Sequence, residues 1–253
     1  MALVAPPDVP QRLAELKAEA AREFTARVAP APTLVATPGK YWTPGKHWWT
    51  KPLFGILAIE ALVALPFLVL VRGSVFFYAH RGWPGWLAVT AAAAATLIVV
   101  AVYGAWVARR FTGRVRFSGV VKWVALPLVL GFCAHALLFV SRTNAKAEVA
   151  QEYRATHPLL RLALSTLMLA NHDLLITDLA RVPLDYPRMG LPVNNGTLHY
   201  RQRDGWAHAV DLQTNGRGEI VNRLVQVYFH LMGFRTLRHV GTADHLHVEL
   251  PLH

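Results

Sequence analysis

The chain has 253 residues, 54% of them hydrophobic, and a formal net charge of +11 at neutral pH. Its one cysteine, Cys133, excludes an intrachain disulfide and a cysteine-ligated zinc, so any metal must be held by His, Asp, Glu or water. Residues 1–146 hold 16 Lys/Arg against 5 Asp/Glu, whereas residues 147–253 hold 10 of each; a nucleic-acid binder would carry its basic stripe in the folded polar part, so no nucleic-acid partner is expected.

The first fifty residues contain no apolar core of a cleavable signal. From Gln11 to Val28, Leu13, Leu16, Ala20, Phe24 and Val28 recur at helical spacing between Pro10 and Pro30, which predicts a short amphipathic helix. A tandem "TPGKYW" (Thr37–Trp42) and "TPGKHW" (Thr43–Trp48) follows. Its Pro-Gly turns, lysines and aromatics suit an interfacial linker.

Three apolar runs come next, Leu53–Val71, Trp86–Ala108 and Val120–Val140. About 20 apolar residues cross a hydrocarbon layer of about 30 Å as a helix, so residues 51–142 are expected to hold three transmembrane helices in a lipid bilayer. Trp42, Trp48, Trp49, Trp83, Trp86, Trp106 and Trp123 fall near the expected ends, where interfacial aromatics belong. The loop between the second and third runs carries Arg109, Arg110, Arg114 and Arg116, against Arg72 and Arg81 between the first two. By the positive-inside rule the N-terminus stays in the cytoplasm and the chain after about residue 142 lies outside. Glu60 and His135 fall inside spans, which suggests helix pairing or, less directly, an ion path.

Residues 147–253 are the size of a small domain. His157–Ala170 reads as a helix, Leu174–Leu179 as a strand, Val182–Gly196 as a loop and Ala207–Leu212 as a strand. Gly218–Met232 reads as an amphipathic helix stopped by Gly233, and Phe234–Val240 with His245–Leu250 as a hairpin around Gly241-Thr242. The expected class is α+β, a small antiparallel sheet with helices on one face.

In the last strand His245 and His247 point one way and Leu246 and Val248 the other. His199, Asp211 and His247 are candidate ligands, because two imidazoles and a carboxylate are a common catalytic zinc set. Zinc would acidify a water and polarise a carbonyl, with Asp244 or His245 moving the proton. His208 competes with His199, but it stands three residues from Asp211, and on a regular strand that offset points the other way.

The last hundred residues resemble the zinc peptidase superfamily that includes D-Ala-D-Ala carboxypeptidases, L-alanyl-D-glutamate endopeptidases, penicillin-insensitive murein endopeptidases and the hedgehog signalling domain. The resemblance is carried by Thr197 and His199 in "TLHY", Ala209 and Asp211 in "AVD", "MGF" at Met232–Phe234, and the ending "DHLHVEL". It implies zinc on His199, Asp211 and His247. It places Asp244 where carboxypeptidases carry the catalytic acid and His245 where endopeptidases carry a second histidine. The stretch "ITDLAR" is similar to one that ends in a substrate-facing arginine, here Arg181. The chain departs from the pattern around "RQRDGW", which looks inserted between the first histidine and the aspartate.

These readings join into one expectation: a membrane-anchored zinc peptidase that cuts peptidoglycan stem peptides outside the cytoplasmic membrane, of bacterial or phage origin. The alternative is a non-enzymatic membrane or virion component with a retained metal site. A pore built on the three spans is a third reading.

Overall fold

The computed structural model describes residues 9–28, 50–114, 116–141, 143–188, 190, 192–241 and 244–252. The tandem TPGK linker and Thr242 of the last turn lie outside the described residues. The chain divides into two units, Met1–Pro52 and Leu53–His253. In the first unit, α1 (Val9–Val28) is a helix with Leu13, Leu16 and Phe24 exposed along it.

The second unit begins in α2 (Thr50–Arg81), and α3 (Gly85–Thr112) follows after a three-residue turn. Then α4 (Phe117–Val120), a π-helical turn (Val121–Ala125) and α5 (Leu126–Leu138) form one continuous rod. The segments Gly55–Arg81, Gly85–Thr112 and Phe117–Leu138 are long and apolar enough to cross a membrane. Arg109 and Arg110 sit in the last turn of α3, where the helix dipole favours cations. Glu60 and His135 are exposed on their helices, and among the described residues no ion pair joins them.

The chain then turns back through α6 (Ala147–Glu152) and a 3₁₀ turn, Tyr153–Ala155, into α7 (Pro158–Ala170). The last carbonyls of a helix lack intrahelical partners, and this segment supplies them for α5. Tyr153 donates to Ala136 O at 2.8 Å, Arg161 to Leu137 O, and Arg154 to Leu138 O at 3.3 Å. Pro158 to Ser165 are all buried, since α7 touches α3 and α5 as well as α9 (Glu219–Met232). Tyr228 of α9 donates to Ala163 O at 2.8 Å. One apolar core therefore runs from Leu70 and Val71 of α2, through Leu160 and Leu164, to Leu246 and Val248.

The sheet holds β1 (Ile176–Asp178), β2 (Ala209–Gln213), β3 (Arg235–His239) and β4 (His245–Glu249), antiparallel in the order β1-β2-β4-β3. A short α8 (Asp185–Arg188) lies in the loop after β1. Val210, Leu212, Leu246 and Val248 fill the core face. Helix α9 ends where Gly233 adopts φ 96°, with Phe234 N–H returning to Phe229 O at 2.9 Å. A Cβ at Gly233 would also strike the Arg72 guanidinium of α2, so the stop and the seat of the helix end need the same residue.

Candidate metal centre

The alternation that sends Leu246 and Val248 inward turns His245, His247 and Glu249 to the opposite face of β4. Asp211 of β2 is the direct partner of His247, and Leu237 of β3 flanks it on the other side. This face is the floor of a cleft of about 810 Å³ whose wall includes Thr197, Leu198 and His199.

His199 reaches the floor from an irregular loop fixed by main-chain bonds. Arg181 N–H donates to His199 O at 2.9 Å, and His208 N–H to Leu198 O at 2.8 Å. The His199 ring pairs through Nδ1 with the carbonyl of Leu179, so Nδ1 carries the proton and Nε2 keeps its lone pair. Nε2 is buried and has no hydrogen-bond partner among the described residues. It stands 3.3 Å from Asp211 Oδ1, and His247 Nδ1 stands 2.8 Å from the same oxygen. The three ligand atoms lie within 4.8 Å of one another. Ligand bonds of about 2.0–2.1 Å in a tetrahedron put donor atoms about 3.3 Å apart, so the donor set and the buried bare nitrogen fit a divalent ion.

The carboxylate is aimed by its other oxygen. Arg181 Nη2 binds Asp211 Oδ2 at 2.9 Å, and the same guanidinium holds Asp178 at 2.7 Å through Nε and the Tyr186 hydroxyl at 3.3 Å. Arg181 is thereby bound to carboxylates on the cleft wall and orients Asp211 Oδ1 toward the imidazoles. Burial alone would raise the Asp211 pKa, but the imidazoles of His199, His247 and His245 gathered around the carboxylate hold it far below the usual carboxylate range. Burial would lower His247; its bond to Asp211 and the charges of Asp211 and Glu249 outweigh that and raise it. Glu249 Oε2 lies 3.7 Å from His247 Nε2, behind the nitrogen that does not face Asp211.

The two candidates for proton transfer are placed differently. His245 lines the cleft, with Nε2 3.8 Å from Asp211 Oδ1, and stacks on His239 at 4.6 Å. Asp244 lies outside the cleft lining; Arg238 grips both its oxygens at 2.7 and 3.0 Å, and Thr214 donates at 2.6 Å. The Arg238 bond, then the Thr214 bond, lower the Asp244 pKa, which makes it a weaker base. Of the two histidines that compete for the first ligand position, the structure groups His199 with Asp211 and His247. His208 instead gathers with His157 and Asp204.

No family model, curated protein or solved structure matches the chain. The metal-centre reading therefore stands on the geometry of these side chains. Sequence reasoning passed over Glu249 and His239. The signal for Glu249 was present, since it lies two residues beyond His247 on the same strand face. His239 becomes visible only through the β3–β4 register, which sets it opposite His245.

Proposed function

We propose that this chain is a membrane-anchored zinc peptidase that cleaves peptidoglycan stem peptides on the outer side of the cytoplasmic or virion membrane. The observation that carries it is the convergence of His199 Nε2, Asp211 Oδ1 and His247 Nδ1 on the floor of an open cleft. Zinc held there supplies Lewis acidity, polarising a carbonyl and lowering the pKa of water to about 7. Arg181 fixes the carboxylate, the Leu179 carbonyl fixes the His199 tautomer, and Glu249 stands behind His247. His245 Nε2 is the group placed to take a proton in the cleft and return it to the leaving amine. Asp244 serves by holding Arg238 beside the start of β4.

Two features support the membrane placement. The Arg-rich α3–α4 loop is at the far end of α3 from Pro84, Gly85 and Trp86, which share a pocket with Asp204 and His208 of the sheet-bearing part. The positive-inside rule then sends that part outward. Ile220, Leu224, Val227 and Leu231 also lie exposed along one stripe of α9, an apolar face suited to a bilayer surface. The inserted "RQRDGW" stretch, which motivates a non-catalytic reading, lines other pockets than the cleft.

The test is full-length protein in detergent micelles, incubated with muropeptides with and without chelator, with products identified by mass. Zinc-dependent release of a stem-peptide fragment is expected. Cleavage untouched by chelator, or no cleavage of any muropeptide by zinc-loaded protein, overturns the proposal.

A further inference from the structure

A second His/Asp/His group lies where the sheet-bearing part meets the α2–α3 turn. Its backbones are set by two main-chain bonds: His157 N–H donates to Ala207 O at 2.8 Å, and Ala207 N–H to Ala155 O at 2.9 Å. These bring His157, which starts α7, beside His208, which leads into β2. The ring centroids are 4.7 Å apart, and both residues are almost fully buried, at 1% and 0% exposure.

Asp204, from the inserted loop, is aimed by the device seen at Asp211. Its Oδ1 accepts the Trp206 N–H at 3.1 Å, leaving Oδ2 toward the imidazoles. Oδ2 lies 2.8 Å from His208 Nε2 and 3.6 Å from His157 Nε2, and the three ligand atoms fall within 4.8 Å of one another. Tetrahedral ligands of one ion stand about 3.3 Å apart, so an ion among the three donors fits separations of this size.

The α2–α3 turn leaves room beside these donors. A Cβ at Gly85 would come within 2.7 Å of His157 Nε2 and 2.8 Å of its Cε1. The surrounding pocket, about 700 Å³, includes Tyr78, Trp86 and Asp204, and Asp204 is open enough to admit an ion from solvent.

We propose that His157 Nε2, Asp204 Oδ2 and His208 Nε2 form a second divalent-metal site, taking zinc or a similar imidazole-seeking ion, that fastens the inserted loop to α7 and the α2–α3 turn. Loading has a local consequence. Leu159 N–H donates to His157 Nδ1 at 3.3 Å. An imidazole bound through Nε2 carries its proton on Nδ1, so the ion and this cap on α7 are alternatives. Metal binding releases the Leu159 amide.

The experiment is metal analysis of full-length protein in micelles after equilibration with Zn²⁺ or Co²⁺, with hydrogen exchange at Leu159. Wild type is expected to hold about two ions per chain, and His208→Ala and His247→Ala about one each, because binding needs the complete ligand set. Exchange at Leu159 is expected to quicken on loading in His247→Ala and not in His208→Ala. Gly85→Ala keeps every ligand and is expected to weaken the second ion alone. An ion lost in His208→Ala but kept in His247→Ala supports this site even if the peptidase proposal fails. One ion that His247→Ala removes and His208→Ala leaves in place overturns the second site, as does an ion count unaltered by both Gly85→Ala and Asp204→Asn.

Discussion

The two His/Asp/His groups contain the same three side chains, and in both the carboxylate is held by one oxygen so that the other faces two imidazoles. They differ in the far nitrogen of the first histidine. His199 Nδ1 faces a carbonyl, which leaves Nε2 bare; His157 Nδ1 faces an N–H, which favours the opposite tautomer. In the first group His199 already presents a bare nitrogen and an ion need displace only the His247 proton, whereas the second must give up a helix cap to take one. Which chemistry a cluster supports is decided one bond behind the ligands as much as by the ligands themselves.

The largest effect that would test this contrast is at the ligands. His247→Ala should reduce muropeptide cleavage to background, while His208→Ala should leave turnover largely intact; equal losses would show that both groups serve the chemistry. Next comes proton transfer. His245→Ala should lower kcat about 10²-fold or more and flatten the pH profile, with Asp244→Asn costing less than about tenfold. The reverse ranking would return the proton to Asp244. Arg181→Gln frees Asp211 Oδ2 and should weaken zinc at the first site by about 10–100-fold, as a competitive chelator titration would read. If affinity is unaltered, the carboxylate is aimed by something else.

The smallest expected effect is in pH dependence. In chelated protein Asp211 is depressed, so its contribution to stability is complete above about pH 3.9 and is lost only as pH falls through its lower folded value. His247 is raised, so its contribution is complete below about pH 6.5 and fades as pH rises through its folded value. Chelated wild type should therefore lose about 2 °C or more of melting temperature between pH 6 and pH 9 relative to His247→Ala. Zinc-loaded protein should show no such loss, since the ion replaces the proton.

Much of the sheet was legible because its signals are local. The alternation in "HLHVE" foretold which side chains of β4 turn inward, and Gly233 marked the end of α9. The apolar runs announced the three long helices by length alone. His199 was favoured over His208 because an odd offset along a strand separates faces, and the structure groups His199 with Asp211. What stayed hidden depends on distant parts of the chain. His157 and His208 meet only because residues 155–157 bond to Ala207, and no periodicity records that. The placing of Asp244 in the Arg238 fork depends on β3 lying beside β4, which neighbouring residues do not encode. Helix α7 reads as amphipathic in isolation, yet Pro158 to Ser165 are all buried because it is enclosed by both the long helices and α9.

That enclosure has a practical consequence. Tyr153, Arg154 and Arg161 plug the carbonyl end of α5, and Leu160 and Leu164 share their core with α2. The hydrophobic helices are thus half of the scaffold that holds the cleft in shape, more than a leash for it. A protease nick ahead of α6 would free no soluble domain; it would strip an oily helix of its cover and leave the fragment prone to clump.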